Sequence, residues 1–582
     1  MKNSKWLFFF LAFTHQSAFA QGVGYPLSNE AVYHMVDRFE ILYGNPSLFY
    51  STQKTLTRGE VTRFAQTLDT TTGIHLSNLD KKDIRYIYDD NNDWLLQSAE
   101  PTTLTGKKEP LVGALAPPQY RLNKKPLLKY FYKTPANLWE VDTKNFSLRV
   151  NPIINFNLGN DRNDAELVFK NLRGVEIRGS IDNRIYFYTN IHETQSRFPN
   201  YVTDWVEKHQ AVPGAGFYKP FQGLKFNIKN GYDYLNAQGL IGMNVTQHIG
   251  IQFGHGNNFI GDGMRSLFLS DFSNNYFFLK LNTKIWKFQY QNIFAELNNP
   301  ATYTNVDDLV PKKFLTMHHL SYNVTPNFNF GIFESVIASR KQQFELQYLN
   351  PIIFYRSVEH SLGSPDNVIL GANFKWNIAK KCQIYGQLVL DEFYFKEIIA
   401  ASEGWWANKY GGQIGIKYPN AFGIDHLDLQ AEYNKIRPFT FTHGDSTNSY
   451  THAGQPLTHP LGANFKEILL RARYQPLSKL VFDGRIMSAT QGESSATRNW
   501  GENPIIPYTS RTGDYGYFTG EGVSAKILLV SLDVSYQIYH NMFLDFNVLA
   551  RKKDSDDPTR SQRTLFVGGG FRMNIGQTKL LF

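Results

Sequence analysis

The sequence predicts an all-β protein: a transmembrane antiparallel barrel of about 18 strands with a small, mostly helical segment before it. Three observations lead there. Apolar and polar residues alternate with period two over stretches of about ten residues, again and again. Short connections between those stretches alternate with long polar ones. Aromatic residues make up 15% of the 582-residue chain, yet its mean hydropathy is a hydrophilic −0.37. That balance arises when one face of every strand meets lipid and the other meets water.

The elements follow in order. "MKNSKWLFFFLAFTHQSAFAQ" has Lys2 and Lys5 ahead of an apolar run from Trp6 to Phe13, then Ala18-Phe19-Ala20. Residues 1–20 therefore read as a secretory signal. No cysteine follows the cut, and the single Cys382 leaves no internal disulfide framework and no cysteine-rich metal site. No later apolar run approaches the roughly 18–20 residues of a spanning helix, so a membrane can be entered only by strands.

Residues 21–140 read as a periplasmic, mostly helical segment. "SNEAVYHMVDRFEILYG" has a helical period with Ser28 as its cap. "TRGEVTRFAQTLDTTTG" sets Thr57 and Glu60 at capping-box spacing, and "SNLDKKDIRYIYDD" does the same with Ser77 and Asp80. A Pro- and Lys-containing stretch from Pro101 to Pro135 leads into the strands.

Residues 141–582 read as the barrel. In "GLIGMNVTQHIGIQFGHG", Ile241, Met243, Val245, Ile249, Ile251 and Phe253 take one face, and Gly242, Asn244, Gly250 and Gln252 the other. "TLFVGGGFRMNI" sets Leu565, Val567, Phe571 and Met573 against Thr564, Gly568, Gly570 and Arg572. Tight turns recur near 182–183, 246–248, 282–284, 324–327, 379–381, 419–423, 475–478 and 539–541. Long connections lie near 194–237, 257–274, 296–312, 337–366, 392–406, 437–462 and 490–521. Outer-membrane barrels are wired this way, with both ends in the periplasm and the long loops outside. No repeat of fixed period supports a propeller or solenoid. The terminal Phe582 suits an aromatic assembly signal.

The net charge of +9 is spread along the chain and forms no nucleic-acid patch. His318 and His319 fall on opposite faces of one strand and cannot share a metal, and Asp391 and Glu392 are likewise split. No Ser/His/acid arrangement emerges, so the chain reads as a non-enzyme without a cofactor. "GHGNNFIGDGMRSLF" matches neither phosphate-binding glycine pattern and falls where an upward strand ends, where its glycines let the chain fold tightly at the rim or back into the lumen. Asn257, Asn258, Asp262 and Arg265 there carry groups that bond sugar hydroxyls or acidic sugars, and equally groups that satisfy a loop's own backbone. Trp405 and Trp406 could stack on sugar rings or belong to an aromatic girdle. Gln252, Gln289, Gln387 and Arg572 point inward, as they would in a general or solute-selective channel. An importer driven from the inner membrane would need a folded plug and more strands.

"GHGNNFIGDGMRSLFLSDFSNNYFFLKL", "LQYLNPIIFYRSVEHSLGSPDNVILGANFKW", "NEAVYHMVDRFEILYG" and "RGEVTRFAQTLD" together resemble the Wzi capsule-assembly family, nearest its gliding-motility RemB-type members from Bacteroidetes. The resemblance spans most of the mature chain. It implies an outer-membrane barrel of about 18 strands with a small helical periplasmic part. It also implies non-catalytic binding or organising of surface polysaccharide, or support of movement over surfaces. The implied partners are outer-membrane lipid, surface polysaccharide, and periplasmic or gliding and secretion machinery.

Overall fold

A computed structural model describes residues 22–44, 51–97, 131–132, 134–182, 184–223, 228–299, 309–340, 343–363, 365–392 and 403–582. The expected signal at 1–20 and most of the Pro/Lys stretch lie outside them.

Eighteen antiparallel strands close into a ring, from Phe146–Asp161 to Gln562–Met573. The last strand pairs with the first from Ile154↔Met573 to Asp161↔Phe566, so no sheet edge is left along that seam. Below the seam the short strand Trp139–Asp142 pairs with Ser147–Val150 and covers the part of the first strand that the last does not reach.

The period-two pattern becomes an inside and an outside. On Val523–Tyr539, Leu528, Val530 and Leu532 are exposed while Ile527, Leu529 and Ser531 are buried. Ile241, Met243, Val245, Phe253 and Val567 are exposed as the alternation requires. An apolar outer face and a polar lumen are what a barrel in lipid needs. Trp286, Phe288 and Tyr322 cluster beside the short turns, as an aromatic girdle does.

Parity fails at one predicted place. The register shifts between Leu390 and Glu392, a bulge that sets Asp391 and Glu392 on either side of Lys409 Nζ at 3.4 and 3.1 Å. The two carboxylates share one cation rather than standing apart.

An 18-strand ring leaves a lumen too wide for wall side chains to fill. Here the N-terminal helices fill the end that carries the short turns. They are α1 (Glu30–Tyr43), α2 (Arg58–Thr70) and α3 (Asn78–Asp90). Both expected capping boxes are present, Thr57 with Glu60 and Ser77 with Asp80. The cap of α1 is Asn29, not Ser28: its side chain accepts from Val32 N–H. Val36, Phe39, Val61, Phe64, Ile84 and Ile87 form the apolar core of this stopper. Its rim is charged and meets the inward charges of the wall. Asp37 pairs with Lys417 at 2.6 Å, Arg38 with Asp428 at 2.7 Å, and Glu40 with Lys375 at 2.8 Å.

The other end is filled by loops folded inward and by the residues after the last strand. That strand ends at Met573, and the chain then turns back up the lumen. Phe582 lies buried against Tyr201, Trp205 and Phe272, with its carbonyl oxygen accepting from Arg551 Nε at 2.8 Å. The terminal aromatic thus stands in a lumen cluster instead of on the wall.

Candidate functional site

The glycine-rich segment leaves the strand Ile249–Gly256 and dives into the lumen. Backbones touch closely here: a side chain at Gly254 would meet the Gly239 carbonyl oxygen at 2.3 Å, and one at Gly263 would meet Glu432 Oε2 at 2.3 Å. Ile260 bridges to Leu269 on one side and to Gln53 of the stopper on the other, flanked by Gly261 N–H to Thr52 O and Lys54 N–H to Phe259 O. The loop and the stopper are therefore joined backbone to backbone in mid-lumen. Gln387, one of the inward glutamines, clasps the loop through Leu267 N–H and the Ile260 carbonyl.

The polar residues singled out in this segment point into the lumen. Asn258 is buried, donating to Tyr276 Oη and accepting from Lys280 Nζ at 3.0 Å. Asp262 accepts from Thr52 Oγ1 at 2.9 Å. Arg265 donates to Glu467 at 3.1 Å and to the Leu581 carbonyl. Asn257 donates to the Asp271 carbonyl, at 3.4 Å. Asn257, Asp262 and Arg265 line a lumen cavity of about 440 Å³ between the stopper and the inward loops.

The far wall of that cavity carries a basic ladder absent from the sequence-level site. In "RARY", Arg471 and Arg473 face inward with period two, and Arg485 joins them from the next strand. Arg471 and Arg485 both hold Glu30, at 2.8 and 2.5 Å, and both hold Asp483. Burial alone would raise the Glu30 carboxyl, but the Arg471 and Arg485 guanidinium groups outweigh it and hold the group at about 2. Arg473 bonds Gln475 and has no carboxylate at ion-pair distance among the described residues.

Trp405 and Trp406 stand in a different place, among the long loops over the opposite end. Trp406 lies 3.8 Å below the Arg511 guanidinium, with Tyr508 at 4.7 Å, Phe439 edge-on at 6.1 Å and Trp405 at 6.2 Å. Phe439 links this group to a second one, in which Arg498 sits over Trp500 at 4.0 Å and over Tyr517 at 4.7 Å. Phe439 and Tyr517 are fully buried, while Trp406, Trp500, Tyr508, Arg498 and Arg511 are partly exposed. The exposed set puts aromatic rings beside fixed guanidinium donors, the chemistry that grips sugar rings and their hydroxyl or carboxylate groups. Arg498, Trp500, Tyr508, Arg511 and Tyr517 all fall in the connection near 490–521, read only as one of the long polar loops. Its interleaving of arginines with aromatics was the available signal.

His318 and His319 do point to opposite sides. His319 faces the lumen, bonded to Gln53 and Asn373, while His318 faces outward to Glu334 and Tyr290. Among the described residues no group of three or more His, Cys, Asp or Glu could hold a metal ion.

No protein-family model and no curated protein sequence matches this chain. Solved structures do. The Escherichia coli outer-membrane protein Wzi, described as involved in group 1 capsule assembly and as a carbohydrate-binding β-barrel, matches over 96% of this chain and 99% of its own, with a TM-score of 0.54 at 12% identity. Pseudomonas aeruginosa OprD matches over 73% of this chain and 95% of its own, with a TM-score of 0.40 at 10% identity. Acinetobacter baumannii OccAB2 covers 74% and 97%, with a TM-score of 0.40 at 11% identity. At these identities the likeness to Wzi establishes the closed 18-strand barrel with its few helices, and the fold alone.

Proposed function

We propose that this is a non-catalytic outer-membrane protein that holds surface polysaccharide at the cell exterior, with the stopper facing the periplasm. The roof carries this reading: the partly exposed Trp406 and Arg511, tied through the buried Phe439 and Tyr517 to the partly exposed Arg498 and Trp500, put indole rings and guanidinium donors on one surface. A polymer crossing it gains many weak contacts at once, and the repeat units multiply them. The Wzi likeness supports this reading at the level of fold. The stopper and the returning C-terminal segment favour a filled lumen over the porin-like alternative.

Retention of the detergent-solubilised protein on immobilised surface polysaccharide tests the proposal. Binding that falls on Trp406→Ala and on Arg511→Ala supports it, and an absence of retention on any surface glycan overturns it. The movement role implied by the RemB-type resemblance is tested separately, by scoring spreading and capsule attachment in one deletion strain.

A further inference from the structure

The connection at 343–363 lies against the outside of the wall. Strand Phe328–Ala338 establishes the geometry. Phe333, Ser335 and Ile337 face the lumen, so Phe330, Ile332, Glu334, Val336 and Ala338 share the outer face. Phe330 and Ile332 are exposed like the rest of the belt, whereas Glu334 is 2% exposed and Val336 1%. What covers them is the connection: Tyr348, Tyr355 and Val358 pack on Val336 and on the outward Val368, and Phe344 packs on the outward Phe314 at 5.3 Å.

The contact has a polar seam. Glu334 receives Tyr355 N–H at 2.9 Å, Arg356 N–H at 2.8 Å and His318 Nε2 at 2.7 Å. The Pro351 carbonyl accepts from Tyr290 Oη and from Asn292 Nδ2 at 3.0 Å, and Ile352 N–H donates to Asn350 Oδ1. With ~3.3 Å per residue and a tilt of ~40°, Glu334 sits about 15 Å above Phe328 and about 10 Å below Ala338, inside an apolar band about 25 Å tall. The opposite side of the connection is mostly apolar at its tip: Leu346, Leu349, Ile352 and Phe354 are exposed, Ile352 at 85%, with Gln347 and Asn350 as the exposed polar residues among them.

We infer that residues 343–363 form a flap seated in the outer half of the bilayer, its tip from Leu346 to Phe354 in contact with lipid acyl chains. Two observations commit the surface to lipid. The tip continues the exposed apolar belt of Phe330, Ile332 and Trp376. The Pro351 carbonyl and the Tyr355 and Arg356 N–H groups are also bonded by wall residues that would otherwise be polar groups in hydrocarbon, and Asn350 of the connection itself takes the Ile352 N–H. Irregular chain is tolerated at that depth where its backbone is satisfied in this way. Glu334, His318, Tyr290 and Asn292 are then the mooring of the flap, which accounts for four polar residues on a lipid-facing wall.

The test labels single cysteines in a Cys382→Ser background with an environment-sensitive fluorophore, on full-length protein in lipid bilayers. Ile352→Cys is compared with Ile241→Cys on the open belt and Thr509→Cys on the roof. Folding of each variant is verified by its heat-dependent gel mobility. The expected result is a blue-shifted label at 352, quenched by acyl-chain nitroxide lipid as strongly as the label at 241, and several-fold more than the one at 509. Quenching no stronger than at 509 overturns the inference. A blue shift without lipid quenching overturns it too, since the cover would then be protein; disulfide-linked dimers of unlabelled Ile352→Cys would name a second copy as that protein.

Discussion

Asp90 holds the stopper in the barrel, and removing it should open the lumen. Its carboxylate receives Arg58 Nη1 at 2.6 Å, Asn541 Nδ2 at 3.0 Å and His540 Nε2 at 3.4 Å, so α3 is tied both to α2 and to a turn of the wall. Arg178 on the wall reaches the Asp90 carbonyl at 2.9 Å. Both Asp90 and Arg58 are about 4% exposed. Taking one partner from a buried ion pair strands the other charge and costs about 3–5 kcal/mol, or roughly 200- to 5,000-fold in an equilibrium. For Asp90→Ala this should appear as a rise of at least two decades in open-pore events in planar bilayers. The double variant Arg58→Met/Asp90→Leu removes both charges of that pair while losing the bonds from Asn541 and His540, so it should lie between the single variant and the parent. An Asp90→Ala protein as quiet as the parent, or a double variant as leaky as the single, would show that Asp90 does not hold the stopper.

The same lock has a pH dependence. Burial would raise the Asp90 carboxyl, but Arg58 and then His540 outweigh it and hold the group well below the usual carboxylate range. A depressed carboxylate stabilises above its ordinary value of about 3.9 and loses that contribution as pH falls toward the lower, docked value. Openings should therefore be rare from pH 7 to about 4 and rise only below that. On the roof, Trp406→Ala should weaken binding of a single-repeat oligosaccharide by about 5- to 30-fold in calorimetry, the equivalent of ~1–2 kcal/mol of stacking and cation–π contact. On the lipid face, Val530→Arg should lower stability in urea titrations of bilayer-embedded protein by about 2–4 kcal/mol.

The barrel was legible because its signals are local. Alternation within ten residues, turn lengths and two capping boxes each involve near neighbours, and they survive in the structure except that the turn expected at 282–284 lies at 286–287, after the strand Tyr276–Ile285. What was not legible depends on residues hundreds of positions apart. Nothing near Arg38 announces Asp428, and nothing near Thr52 announces Asp262, so the docking of the helices inside the ring was out of reach. For the same reason the glycines beside Asn258, Asp262 and Arg265 left a fold at the rim or back into the lumen equally open, and the partners of these side chains could not be named. The bulge at Asp391 reversed a parity argument that holds elsewhere. The flap was hidden because a loop that returns along the outer wall has the same length and composition as one that projects into water.

The path of residues 574–582 bears on how the molecule comes into being. They follow the strand that seals the ring, yet they occupy its interior from the Pro152 carbonyl, bonded by Asn574, to Arg551. A finished cylinder, blocked by three helices at one mouth and by packed loops at the other, offers no entrance for such a thread. The thread must therefore be laid into the lumen before the helices dock behind it. A refolding time course in which the helices are docked before Phe582 becomes shielded would contradict that order.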